Sequence, residues 1–250
     1  MSGGLGNDVY FVDNASDAVL ENANEGNDAV FSTAHFQLSE NVETLVLQGT
    51  ADLQGYGNSQ ANTLFGNAGN NLLDGKAGAD TMSGGLGNDV YFVDDAGDFV
   101  FENAGEGNDA VFSIVNYTLT ANVETLVLQG GGNLSGTGNG LANQIFGNSG
   151  GNTLDGGGGA DVLTGGAGND TFAFHAGEAN NDTVVDFIGN GAAAGDSLQF
   201  AGFGTAAQGA TFTQIGASNQ WQIHSGLDGH NEIVTFSNAA AIHPTDFLFV

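Results

Sequence analysis

Gly84-Gly85-Leu86-Gly87-Asn88-Asp89-Val90-Tyr91-Phe92 decides how this chain folds. It follows the nine-residue pattern G-G-x-G-x-D-x-U-x, in which U is a large apolar residue. The first six residues are turn-formers. Glycines permit positive φ and close backbone approach, so the carbonyl oxygens of the turn swing to one side. The last three residues suit a short strand whose middle side chain points inward. Two such units complete one coil. Neighbouring units then lie on opposite edges, and every second unit stacks on the same edge.

The unit recurs in register. One tandem run covers residues 57–92, with units starting at Gly57, Gly66, Gly75 and Gly84; a second covers residues 138–173, starting at Gly138, Gly147, Gly156 and Gly165. The sixth position reads Asn62, Asn71, Asp80, Asp89 and then Asn143, Asn152, Asp161, Asp170. The eighth reads Leu64, Leu73, Met82, Tyr91 and then Ile145, Leu154, Leu163, Phe172, apolar in every slot. A longer period relates copies 3–83 and 84–164: Gly3–Phe11 returns as Gly84–Phe92, and Asn41–Gly49 as Asn122–Gly130. That period is an odd number of nonapeptides. If winding stays at two units per coil, Asp89 and Asp170 fall on opposite edges.

Degenerate units extend the runs. Residues 12–20 and 93–101 place Asp17 and Asp98 at the sixth position. After a two-residue offset, 23–31 and 104–112 place Asp28 and Asp109 there. Segments 32–56 and 113–137 lack the glycines and read as strands of a longer-walled stretch, with apolar runs such as Leu45-Val46-Leu47. From about residue 171 the nonapeptide stops. Thr171–His175, Thr183–Phe187, Ser197–Phe200, Thr211–Ile215, Trp221–His224 and Glu232–Phe236 read as short strands between turns. The expected architecture is all-β: a parallel β-roll over residues 1–170 and a β-rich cap over 171–250. A solenoid needs such a cap, because its last rung otherwise exposes apolar surface and unpaired strand edges.

Composition narrows the function classes. The chain has 250 residues, 43 of them glycine, with one proline and no strict three-residue glycine period, which excludes collagen. Apolar residues make up 40%, enough for a buried interior. There is no cysteine, so no disulfide staples the fold. Residues 2–8 do not read as a signal peptide, and no apolar run approaches the ~20 residues of a membrane span. Twenty-nine acidic residues face one basic residue, Lys76, for a net charge of -28. That charge repels phosphate backbones and anionic membranes, so neither nucleic-acid binding nor membrane insertion is expected. It also strains the compact state by self-repulsion, and the chain has almost no counter-charge of its own.

A bound divalent cation would supply it. Stacked turns offer side-chain oxygens and several backbone carbonyls around one gap, which suits the six to eight hard oxygen ligands of calcium. Magnesium is smaller and keeps its waters, so it fits such a cage poorly. The candidate ligands are the carboxylates of Asp8, Asp80, Asp89, Asp161 and Asp170 and the turns of Gly75, Gly84, Gly85, Gly87, Gly156, Gly165, Gly166 and Gly168. Asp98, Asn62, Asn71, Asn143 and Asn152 are weaker candidates. The spacing puts Asp80 near Asn62 and Asp98, Asp89 near Asn71, Asp161 near Asn143, and Asp170 near Asn152. Asparagine brings an oxygen without charge, so its four turns read either as half-sites or as left-handed turn residues that ladder with their neighbours. For Asp17, Asp28, Asp98 and Asp109, both an ion ligand and a plain Asx-turn aspartate stay open. Asp8 has the full motif but no rung before it, so its site is expected to be incomplete. Several calcium ions are the expected cofactor.

No catalytic constellation stands out. The histidines, His35, His175, His224, His230 and His243, form no H-E-x-x-H, and no serine sits in G-x-S-x-G. His224 and His230 flank Asp228 across a glycine-containing turn and read as surface histidines rather than a transition-metal site. Acidic pairs abound, but the sequence sets them in solvated turns rather than in an apolar cleft that would raise a carboxyl pKa. With Lys76 as the lone basic residue, a lyase acting on uronates is disfavoured.

The motif carriers Gly75–Ser83, Gly84–Phe92, Gly156–Thr164 and Gly165–Ala173 resemble the RTX (repeats-in-toxin) proteins with hemolysin-type calcium-binding repeats. The resemblance covers roughly residues 3–173. It implies a parallel β-roll with calcium at both edges, and secretion by a type I exporter that reads an uncleaved C-terminal signal. Asn181–Phe187 and Gly195–Phe200 are similar to the tail of serralysin-type proteases, and Asp246-Phe247-Leu248-Phe249-Val250 resembles the family's terminal signal; an ordinary edge strand is the other reading of these five residues. Family members often carry a catalytic or adhesive domain before the repeats, and this chain begins inside one. The resemblance implies a secreted, extracellular, non-catalytic module that folds on calcium outside the cell and supports a larger protein. An alternative is a calcium-dependent polysaccharide- or surface-binding module, such as an epimerase repeat module or adhesin segment, with extracellular polysaccharide as partner.

Overall fold

A strand of one short triplet buries one side chain, so a wall of such strands needs one apolar residue per strand and parallel stacking to align them. The computed structural model shows this arrangement. It describes residues 1–189, 191 and 194–250. Thr63–Phe65, Thr81–Ser83, Leu72–Asp74, Gln144–Phe146, Thr153–Asp155 and Val162–Thr164 are all such triplet strands in parallel pairings. All eight eighth-position side chains are fully buried. No α-helix is present among the described residues, and no helix there is long and apolar enough to cross a membrane.

The chain divides into two compact units, Met1–Val115 with Thr120–Val123, and Asn116–Leu119 with Glu124–Val250. In the first, a parallel sheet of Val9–Val12, Ala29–Ser32, Thr44–Leu47, Thr63–Phe65, Thr81–Ser83 and Phe99–Val100 forms one wall. Phe36–Gln37, Gln54–Tyr56, Leu72–Asp74, Val90–Val93 and Ala110–Ser113 form the other. Partners along the first wall run from Val9 to Ala29, Ala29 to Thr44, Thr44 to Thr63 and Thr63 to Thr81. The first three of these coils are unequal, and only the last has the regular length of two nonapeptides. Together, however, the chain from Val9 to Thr63 is as long as three coils of the Thr63-to-Thr81 kind. The stretch without glycine motifs therefore returns the chain to the nonapeptide in phase. The wall swap expected from an odd period is visible inside this unit: the strand after Asp8 lies in one sheet, and the strand after Asp89, its copy in the longer period, lies in the other.

In the second unit, Tyr117–Thr118, Ser135–Thr137, Thr153–Asp155, Thr171–His175, Ser197–Ala201 and Phe247–Phe249 stack in parallel. The facing sheet runs Thr125–Leu128, Gln144–Phe146, Val162–Thr164, Thr183–Val184 and Asn231–Phe236, then turns antiparallel through Gln220–His224 and Thr211–Gln214. Coiling thus continues where the glycines stop. The expected strand over Thr183–Phe187 is only Thr183–Val184, because the chain turns away after Val184 and Phe187 packs into the core instead. Phenylalanine takes over from leucine at this end: Phe200 contacts Phe203, Phe212, Phe247 and Phe249, and Phe212 stacks on Trp221.

Candidate metal centre

Each sixth-position residue stands at the corner just before a strand. There the stacked coils link corner to corner. The amide of Asn62 donates to Oδ1 of Asp80 (2.6 Å), and that of Asp80 to Oδ1 of Asp98 (2.9 Å). The amide of Asn71 donates to Asp89 (2.6 Å) and that of Asp89 to Asp109 (2.7 Å). Asn143 donates to Asp161 and Asn152 to Asp170, both at 2.7 Å. The neighbours expected from stacking every second unit are the neighbours found.

The aspartates are more secluded than the sequence reading placed them. Asp80 and Asp161 are 0% exposed, Asp89 and Asp170 1%. The reason lies in the first glycine of each motif. The aspartate folds back over its own unit into the space a side chain would fill. A Cβ at Gly75, Gly84, Gly156 or Gly165 would lie 2.1–2.5 Å from the aspartate Oδ2. The next coil then covers the corner. These carboxylates are buried in stacked corners, not solvated.

Burial leaves one oxygen of each without a partner. Oδ2 of Asp80, Asp89, Asp161 and Asp170 accepts no hydrogen bond, and neither does Oδ2 of Asp8 or Asp28. An ionised carboxylate so placed is costly. Desolvation, the largest cause, pushes Asp80 and Asp89 up to about 7 and Asp161 and Asp170 up to about 6, against lowering hydrogen bonds from the preceding corner's amide. Carboxylate neighbours add to the rise, Asp98 for Asp80 and Asp109 for Asp89.

The remaining turn geometry also calls for glycine. Gly85 and Gly166 hold φ of +88 and +90, Gly87 and Gly168 φ of +124 and +131. The φ values explain why glycine suits those four places. A Cβ at Gly57 would lie 2.2 Å from the Gly75 carbonyl oxygen and 2.5 Å from Asn62 Oδ1, and the same crowding of a glycine carbonyl and an asparagine oxygen recurs at Gly66, Gly138 and Gly147, so only glycine fits there. Anionic carboxylate oxygens without partners suit a hard cation of the calcium type.

The asparagine corners differ. Oδ1 of Asn62, Asn71, Asn143 and Asn152 accepts the amide of the unit's own second residue, Asn58, Asn67, Asn139 and Asn148, at 2.6–2.7 Å. Their side-chain amides donate to carbonyls of the preceding coil, as Asn62 does to Val42 at 3.0 Å. None has positive φ. They ladder with their neighbours, but not as left-handed residues. Asp98 is also closed: Oδ2 accepts the amides of Asp94 and Asp95. Asp17 is exposed. Asp28 and Asp109 join the ladder through the amides of Asp8 and Asp89. Asp8, expected to lack a complete site, finds its partners in the coil that follows: one carboxylate oxygen each from Asp8, Glu21 and Asp28 lies within 4.8 Å of the others.

Several ladder members escaped the sequence reading. Asp161 donates its amide to Asp182 (3.0 Å), Asp170 to Asp196 (2.9 Å), and Gly165 and Gly166 to the two oxygens of Asp186 (both 2.8 Å). Asp182 is pushed up to about 8, first by desolvation. For Asp182 and Asp196 the available signal was an aspartate directly before a short alternating strand, in Asp182-Thr183-Val184 and Asp196-Ser197-Leu198. Glu21 and Glu102, in the two-residue offset, were also missed. His230 is bridged to Asp228 (2.5 Å) and Glu232 (2.7 Å), and His224 to Asn231 (2.7 Å), so the ring nitrogens found with partners serve the surface rather than a metal.

Corner ladders of buried carboxylates on a glycine-turned parallel coil define a cation-binding β-roll. Residues 56–91 and 137–172 match the RTX calcium-binding nonapeptide repeat (4 copies), and this chain carries that repeat in both segments. Repeats of this family bind calcium, several ions to a repeat domain. The matched segments coincide with the two tandem runs. No curated protein matches the chain.

Proposed function

We propose that this chain is a secreted calcium-binding module that crosses a type I exporter unfolded, folds on calcium outside the cell, and supports a larger extracellular protein without catalysing a reaction itself. One observation carries the calcium-coupled folding: Asp80, Asp89, Asp161 and Asp170 each bury an oxygen that no protein group satisfies. Asp8 and Asp28 share that feature. These carboxylates are the proposed ligands, and the turns of Gly75, Gly84, Gly156 and Gly165 are proposed to add backbone carbonyls. Calcium would supply the positive charge and the six to eight ligand positions that the corners lack. The asparagine corners lock the coil beneath each aspartate by donating their amides to it, and so orient Oδ2.

The glycine-turned part of the roll is assigned to residues 1–170, although parallel coiling runs on beyond it. Residues 171–250 are assigned as the cap, with the export signal in Asp246–Val250. Support for export is the chain's likeness to exported repeat proteins, together with a fold that the low calcium of a cytosol would leave unmade. Binding that occurs only in the folded state is folding free energy. Far-UV circular dichroism of the calcium-free chain should gain β signal on titration to ~1 mM calcium, the range of extracellular calcium modules. Magnesium at the same concentration should give little. No gain with calcium, or an equal gain with magnesium, contradicts the proposal.

A further inference from the structure

We infer that the long coil after Asp89 builds a three-carboxylate calcium site from Asp89, Glu102 and Asp109, a site the nonapeptide does not encode. The inference rests on the calcium reading above and deepens it. Stacked corners of the tandem runs are regularly spaced, as Asn62 and Asp80 are, but the step from Asp89 to Asp109 is longer, and Val90 accordingly pairs with Ala110. The two extra residues, Glu102 and Asn103, follow the degenerate unit 93–101.

Their effect is local and specific. In the regular coils, the amide of the first glycine donates to a backbone carbonyl of the next coil: Gly57 to Asp74, Gly66 to Ser83, Gly138 to Asp155 and Gly147 to Thr164. At Gly84 the amide donates instead to the Tyr91 hydroxyl (2.6 Å) and, less closely, to Oε1 of Glu102 (3.2 Å). The insertion thus replaces a neutral carbonyl with a hydroxyl and a carboxylate. Asn103 and Glu106 brace the loop, with Asn103 donating its amide and side-chain nitrogen to Glu106 at 2.7 Å. Glu102 is 3% exposed, and Tyr91 donates its hydroxyl to the same Oε1. Its other oxygen, Oε2, has no partner, and neither has Oδ2 of Asp89. One oxygen each from Asp89, Glu102 and Asp109 lies within 4.8 Å of the others.

Two buried anionic oxygens without partners, on residues whose carboxylates cluster this closely, call for a cation. Three carboxylates in one cluster favour a hard divalent ion, and higher ligand charge means tighter calcium. The earlier long coil, in which Val9 pairs with Ala29, repeats the arrangement, with Asp8, Glu21 and Asp28 clustered and the Gly3 amide on Glu21 at 3.0 Å.

Glu102→Gln in the full chain tests this. Glutamine keeps an acceptor for Gly84 and removes the charge. Equilibrium calcium binding should show one site lost, or its half-saturating calcium raised at least ~tenfold. Melting in chelator should be shifted upward, because a buried charge is gone, whereas melting in calcium should be shifted downward; a structural role alone moves both the same way. Glu102→Asp keeps the charge but withdraws it, and should weaken the same site should the glutamine variant not fold. Wild-type stoichiometry and affinity in a folded variant overturn the inference. A wild-type chain that binds no calcium would instead overturn the reading beneath it.

Discussion

Asp89 has lost water from both carboxylate oxygens and has a protein partner for one. Oδ1 accepts the amide of Asn71 at 2.6 Å; Oδ2 accepts nothing. Asp80, Asp161 and Asp170 repeat this asymmetry, and their raised pKa values record its cost. The sign of the pH dependence follows. A carboxyl whose folded pKa lies above its unfolded value binds more protons folded than unfolded, so stability falls as pH rises between the two. In chelator, the melting temperature should therefore decline from about pH 4 to about pH 8, where Asp182 and Glu102 have lost their protons too, and level off above. Calcium competes with those protons, so saturating calcium should flatten or reverse the slope. Melting followed at several pH values checks both arms; a chelated chain that gains stability through that window contradicts the burial described here.

The turn is the element that makes the corner possible, and its first glycine leaves the space into which the aspartate folds. A Cβ at Gly84 would meet Asp89 Oδ2 at 2.1 Å and the Tyr91 hydroxyl at 2.5 Å, whereas one at Gly132 would meet nothing within 4 Å. Gly84→Ala should cost ~1–3 kcal/mol by overpacking and weaken calcium binding, while Gly132→Ala should stay within ~0.5 kcal/mol. Melting and calcium titration of the two variants measure the contrast. Strands and regular corners were legible in the sequence because period, glycines and apolar slots repeat without ambiguity; Asp80 beside Asn62 follows from counting. Glu102 was not legible. It lies outside the nonapeptide, and only the altered partner of Gly84 shows that the extra residues deliver a carboxylate. Asp182 and Asp196 were hidden for a related reason, since their corners lack the glycines that mark the others.

For the whole molecule, a net charge of -28 is partly driven inward by the fold. Lys76 pairs with Asp74 at 2.8 Å and offsets little of it. Apolar ladders hold each unit together along its axis while the corners work against it, so the compact state depends on what neutralises them. Hydrogen–deuterium exchange at the corner amides of Asn71, Asp80, Asp89 and Asn152 tests this most directly, because each donates into the ladder. Strong protection in calcium, lost on chelation and restored by calcium but not magnesium, is the predicted result. Equal protection with and without chelator would contradict it.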